Sequence, residues 1–125
     1  MELIKAEKLE YGYAGMSSFK PALDGLSFSV EQGELMFVLG CSGAGKTTLA
    51  QCLNLLRPLS SGTLEICGLD AIKKENARNI RKNCALVFEY PEEQFISTTV
   101  AEEIVFGAKN YLGIEAGFSQ KMDEI

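Results

Sequence analysis

The chain has no histidine. That absence removes every His-dependent catalytic triad and every imidazole general base. Four cysteines are present, Cys41, Cys52, Cys67 and Cys84, yet none belongs to a C-x-x-C pair, so nothing points to a zinc site. They read as reduced thiols packed as small hydrophobes, except that Cys41 lies inside the glycine loop described below and is open to alkylation. No run of 18 apolar residues occurs, and Met1-Glu2-Leu3 does not open a signal peptide; direct membrane insertion is not expected. Acidic residues outnumber basic ones 17 to 12, a net charge of −5, so bulk charge would draw in neither nucleic acid nor an anionic membrane surface. At 125 residues the chain is at most one domain, expected to be soluble and cytoplasmic.

What the chain does carry is concentrated between Glu34 and Leu56, ELMFVLGCSGAGKTTLAQCLNLL. Gly40, Gly45, Lys46 and Thr47 spell G-x-x-x-x-G-K-[ST], the phosphate-binding P-loop. Leu35 to Leu39 before it is an unbroken apolar run, as a strand buried on both faces requires. After it, Leu49, Ala50, Cys52, Leu53 and Leu56 recur at helical spacing until Arg57-Pro58 closes the segment. Strand, glycine loop and helix form the context the motif needs. The residues Gly40, Cys41, Ser42, Gly43, Ala44, Gly45, Lys46, Thr47 and Thr48 are therefore the candidate nucleotide site. Gly40, Gly43 and Gly45 admit turns that a Cβ obstructs, and amides from about Gly43 to Thr48 can face phosphate oxygens at the positive end of the helix. Lys46 would bridge the β- and γ-phosphates, the Thr47 hydroxyl would ligate Mg²⁺, and Thr48 would support an α-phosphate contact.

The rest of the chain reads as short elements around that core. Glu2 to Tyr13 suggests a half-exposed antiparallel strand, Ala14 to Gly25 a loop, and Leu26, Phe28 and Val30 one face of a second strand. Glu31-Gln32-Gly33 is a turn into the P-loop strand. Pro58 to Gly62 turns into a strand over Thr63 to Cys67, and Gly68-Leu69-Asp70 turns again. Lys73 to Lys82 is a short helix, Ala85 to Phe88 a second buried parallel strand, Glu89 to Thr98 a polar loop, and Thr99 to Leu112 a helix.

Together these segments resemble the N-terminal half of an ATP-binding cassette (ABC) ATPase domain. The match runs through PALDGLSFSVEQGELMFVLGCSGAGKTTLAQCLNLLRPLSSGTLEICG, and GKTTLAQCLNLLRPLSSG within it is more specific than the P-loop alone. Leu86 to Ile104, LVFEYPEEQFISTTVAEEI, with FGAKNYLGI after it, resembles the ATPase subunits of energy-coupling-factor (ECF) importers. The resemblance implies an α/β P-loop NTPase of ABC type, with parallel core strands plus an antiparallel β subdomain. It implies that residues 1–125 are the N-terminal portion of one such domain, truncated before the Walker B strand. It further implies ATP and Mg²⁺ as cofactors, and hydrolysis coupled to uptake of a vitamin or a metal ion. The implied partners are a second ABC ATPase subunit, in a homo- or heterodimer, and an integral membrane coupling subunit, with the protein peripheral at the inner face of the cell membrane.

Two residue assignments also follow from the resemblance. The family's adenine-stacking aromatic falls on Tyr13, with Tyr11 second, since a ring there can stack on the base. The Q-loop glutamine that touches Mg²⁺ or the attacking water falls on Glu89, a catalytic and metal candidate in which glutamate replaces glutamine; Gln94 is a weaker one. Glutamate is nearly isosteric but sets a charge beside a triphosphate, so Mg²⁺ must offset it or nucleotide affinity falls. The LSGGQ signature, the Walker B aspartate, the catalytic glutamate and the switch histidine do not occur in these residues. Glu92-Glu93 and Glu102-Glu103 fit solvated faces of a loop and a helix, not a general base. Without a Walker B strand beside them, Leu35 to Leu39 and Ala85 to Phe88 would expose apolar surface, and the isolated chain would be poorly soluble or molten.

The leading expectation is a transport-coupled ATPase, with this chain alone inactive. An alternative is a truncated non-catalytic fragment that binds ATP, or pairs with intact cassettes, without turnover. A third reading, a small P-loop kinase, needs an arginine-bearing lid, and only Arg57, Arg78 and Arg81 are available.

Overall fold

The computed structural model describes residues 1–13 and 21–112. The chain divides into two compact units, Met1–Leu86 and Val87–Ile125.

The first unit is built on a four-stranded sheet of order β2-β1-β3-β4, formed by β1 (Glu2–Tyr11), β2 (Leu23–Glu31), β3 (Ser61–Ile66) and β4 (Leu69–Asp70). Every pairing is antiparallel. Central β1 pairs Ala6 with Phe28 on one side and with Leu64 on the other. Its inward residues are Ile4, Ala6, Leu9 and Tyr11, a spacing of two, three and two. Strict alternation would send Leu9 to the opposite face from Ala6. The chain resolves this with a bulge: both ladders of β1 shift register across this stretch, and Lys8 between Ala6 and Leu9 has φ of 50°. Gly62 on β3 accommodates the bulge, because a Cβ there would lie 2.3 Å from the Lys8 carbonyl oxygen.

Helix α1 (Lys46–Leu53) contributes Leu49 and Cys52 to the core, and α2 (Ala77–Asn83) contributes Ile80; with Ala6, Leu9, Leu23, Leu64 and Ile66 they form one apolar cluster. Helix α1 stops at Leu53 rather than continuing to Leu56, which is exposed. Leu55 takes φ of 57°, and the Leu55 and Leu56 amides donate to Cys52 O and Gln51 O at 3.0 and 2.9 Å, a Schellman closure with leucine in the glycine position. Arg81 Nη2 then donates to Leu55 O at 2.9 Å, supplying the cation that the end of α1 lacks. The β3–β4 hairpin turns through Cys67 and Gly68, both with positive φ as a type I′ turn demands. Cys67 is therefore an exposed turn residue, not a packed hydrophobe, and Leu69-Asp70 is strand rather than turn.

The two expected parallel strands depart furthest from their reading. Neither 35–39 nor 85–88 joins a ladder among the described residues, and Leu39 is 89% and Val87 80% exposed. A strand is held by the N–H and C=O groups of a neighbour, and an apolar run cannot bury itself without one.

In the second unit, a 3₁₀ turn over Pro91–Gln94 precedes α3 (Val100–Leu112). Thr99 caps α3: its Oγ1 accepts the Glu102 amide at 3.3 Å and donates to the Glu102 carboxylate at 3.0 Å. Glu103 Oε2 accepts the Ile96 and Ser97 amides at 3.0 and 2.8 Å. These two carboxylates thus order the start of α3 instead of forming a merely solvated face. Residues 14–20, within the expected loop, and those after Leu112 lie outside the described residues.

Candidate functional site

The P-loop connects the exposed 35–39 segment to α1, and its three glycines are used differently. Gly45, at φ 90°, could not carry a side chain, since a Cβ would meet Ala22 O at 2.3 Å just ahead of β2. Gly43, at φ 79°, needs the left-handed conformation but faces open space. At Gly40 a Cβ would crowd that of Ala44 at 3.1 Å. The Ala44 amide donates to Cys41 O at 3.2 Å and closes the loop's internal turn, so it is engaged in the loop itself.

Lys46 folds back over this loop. Its Nζ donates to Gly40 O at 2.7 Å and to Cys41 O at 2.8 Å, which fixes the ammonium above the glycine turn and leaves one of its three donors for an anion. The first intrahelical bond of α1 runs from the Leu49 amide to Gly45 O at 2.8 Å, and no side chain among the described residues caps the helix. The amides of Lys46, Thr47 and Thr48 therefore have no partner among the described residues and point out of the positive end of α1. Amides, a fixed ammonium and an exposed Thr47 hydroxyl form a donor set suited to a polyphosphate. Cys41 and Ser42 are exposed at the rim.

The same set fits Mg²⁺. Among the described residues no group of three His, Cys, Asp or Glu side chains could hold a metal unaided. A hard cation that keeps waters and takes phosphate oxygens needs only a hydroxyl such as that of Thr47 from the protein.

Tyr13 stands against the same helix. Its hydroxyl is 2.9 Å from Thr48 Oγ1, and Thr48 itself is buried. The Thr48 hydroxyl is thus engaged with Tyr13, and its amide is the group left for phosphate. Tyr11 packs edge-on against Tyr13, with centroids 5.1 Å apart and planes at 87°. The guanidinium carbon of Arg57 lies 5.0 Å from the centroid of Tyr13 and 5.8 Å from that of Tyr11. Arg57 Nη1 donates to the Tyr11 hydroxyl at 3.1 Å, and its Nε donates to Gln51 Oε1 on α1. Of the two tyrosines, Tyr13 reaches the P-loop helix and stays 42% exposed, whereas Tyr11 is half-buried against the core. Arg57 and Gln51 were not signalled by the sequence, where Arg57 marks only the helix end before Pro58.

Glu89 belongs to the second unit, exposed on the bend before Pro91–Gln94, and Gln94 is exposed at the end of that turn. Glu92 and Glu93 lie in the turn, also exposed. Hydrogen bonds from the Ser97 and Ile96 amides hold the Glu103 carboxyl below its ordinary value. Burial pushes up the thiols of Cys52 and Cys84, the behaviour of packed cysteines rather than reactive ones. No helix among the described residues is long and apolar enough to cross a membrane.

A sequence profile described as ABC transporter matches residues 23–125. An energy-coupling factor transporter ATP-binding protein, EcfA1, of Fusobacterium nucleatum subsp. nucleatum is 38% identical over 108 residues, covering 86% of this chain and 39% of that protein. Its counterpart in Bacillus subtilis is 37% identical over 109 residues, covering 87% and 38%. Among solved structures, cbiO1 of Clostridium perfringens, described as part of the ABC transporter complex cbiONQ, superposes with a TM-score of 0.73 at 28% identity, over 92% of this chain and 44% of that one. An ATP-binding subunit of an ABC transporter superposes with a TM-score of 0.75 at 24% identity, over 92% and 45%, and speaks to the fold alone. The chain spans about two fifths of the length of these sequence relatives.

Proposed function

The chain belongs to the ABC transporter family, and we propose that it is the nucleotide-binding portion of an ECF-type ATPase subunit that couples ATP hydrolysis to import of a vitamin or a metal ion. The observation that carries this reading is Lys46, held over Gly40 O and Cys41 O beside three amides of α1 that have no partner among the described residues. In this reading the amides of Lys46, Thr47 and Thr48 bind the phosphates, Lys46 bridges the β- and γ-phosphates, and Thr47 holds Mg²⁺, which when bound offsets phosphate charge. Tyr13 stacks on adenine. Glu89 serves near the γ-phosphate and the metal, in the place of a glutamine. Residues 1–125 act as the N-terminal portion of one ATPase domain, which pairs with a second ATPase subunit and docks on a membrane coupling subunit at the cytoplasmic face.

Equilibrium dialysis of radiolabelled ATP with Mg²⁺ tests the site. Lys46→Ala is expected to weaken ATP about a hundredfold, because it removes a charge-assisted contact from two phosphates. Unchanged affinity would overturn the reading. A phosphate-release assay alongside separates an ATPase from a fragment that binds without turnover. In a polypeptide carrying the rest of the relatives' length, Glu89→Gln should alter hydrolysis more than ATP affinity; equal turnover would remove Glu89 from the mechanism.

A further inference from the structure

We propose that Arg57 is a positioning residue for the nucleotide base, setting the ring of Tyr13 by bracing it from α1. The proposal deepens the adenine-stacking role assigned to Tyr13 above and rests on it.

Tyr13 lies beyond the last ladder residue of β1, where no strand pairing holds its side chain. Its hydroxyl bond to Thr48 fixes one end of the ring but leaves the plane free to turn about the line between them. The guanidinium of Arg57 supplies the missing restraint, because a planar cation 5.0 Å from the centroid favours one ring orientation. Arg57 is itself held at two points, by Gln51 Oε1 on α1 and by the Tyr11 hydroxyl on β1. Tyr11 then meets Tyr13 edge-on, so three groups converge on a single ring while the residue as a whole stays 42% exposed. The backbone is tied at the same place: Gly12 N–H donates to Ser60 Oγ at 3.2 Å and Ser60 N–H to Glu10 O at 2.9 Å, three residues after Arg57. The platform is therefore tied to the segment that leaves α1 as well as to α1 itself. A cation opposite the stacking face also polarises the ring, which favours an electron-rich purine on its free side.

The test is a double-mutant cycle in the 125-residue chain, with dissociation constants for Mg-ATP and for Mg-tripolyphosphate, which has no base. Arg57→Ala is expected to weaken ATP about three- to fivefold and to leave tripolyphosphate within about twofold. Tyr13→Ala should weaken ATP about tenfold, and adding Arg57→Ala to it should cost less than about a further twofold, because Arg57 acts through the ring. Arg57→Lys should behave like alanine, since an ammonium keeps the charge but not the fork; it also carries the cycle if Arg57→Ala does not fold. An equal loss for ATP and tripolyphosphate, additive effects of the two substitutions, or full rescue by lysine would each overturn the proposal. If Tyr13→Ala leaves the preference for ATP over tripolyphosphate unchanged, the stacking role fails and this proposal with it. If that preference falls while Arg57→Ala changes nothing, Arg57 alone is refuted.

Discussion

The hydroxyl of Tyr13 and Oγ1 of Thr48 lie 2.9 Å apart and join the end of β1 to the first turn of α1. The first prediction follows from what that bond does and does not carry. In Tyr13→Phe the ring and its contact with Arg57 remain while the hydrogen bond is lost. ATP affinity is expected to stay within about threefold of the parent, against about tenfold loss for Tyr13→Ala. Equilibrium dialysis of the two variants decides it, and a phenylalanine variant as weak as alanine would mean that the hydroxyl, not the ring, matters.

Gly62 offers a test of the fold that does not touch the site. Gly62→Ala would drive a Cβ against Lys8 O at 2.3 Å and should destabilise the first unit by about 3 kcal/mol in urea unfolding. Gly68→Ala, at φ 75° but with nothing within 4 Å, should cost only about 1 kcal/mol. Equal costs would show that φ alone, and not crowding at the bulge, explains Gly62.

Acid should release the start of α3. The Glu103 carboxyl is held below its ordinary value by the Ser97 and Ile96 amides, so its contribution to order is complete above the unfolded value of about 4.3 and disappears as pH falls through the lower folded value. Amide exchange at Ile96 and Ser97 should therefore quicken as pH drops below that range, relative to the intrinsic rate. Glu103→Gln should flatten the dependence; an identical profile in the variant would exclude Glu103 as its origin.

Hydrogen exchange should also divide the first unit in two. Amides over 35–39 join no ladder among the described residues and should exchange at nearly unstructured rates, while those of β1 and β3, paired on the central strand, are slow. Protection over 35–39 would reveal a pairing partner for that run.

Much of this was legible in the residue order, for reasons that differ by element. The P-loop could be read because glycine spacing and Lys46 constrain the backbone locally, and α1 because Leu49 and Cys52 share a helix face. The helix from Thr99 could be read from the spacing of Val100, Ile104 and Phe106, whereas Glu102 and Glu103 read only as a solvated face and not as the groups that order its start. What escaped depends on distant chain. Nothing near Lys8 signals a bulge, because its cause includes Gly62 on another strand. Arg57 looked like punctuation before Pro58, because Gln51, Tyr11 and Tyr13 meet it only after folding. The run 35–39 looked buried, because an apolar sequence reports a preference for burial and not whether a neighbour supplies it.

The bulge at Lys8 also makes the length of β1 count more than its composition. Ala6 and Tyr11 face the same core only because an odd number of steps separates them with one residue spent on the bulge. Gain of a single residue between them would set Glu10 and Gly12 in the places of the aromatic pair, and loss of one would set Gly12 and Ala14 there. Surface positions such as Glu7 and Glu10 can therefore vary freely in identity, while an insertion or deletion of one residue in this stretch would unseat the platform without changing any residue in it.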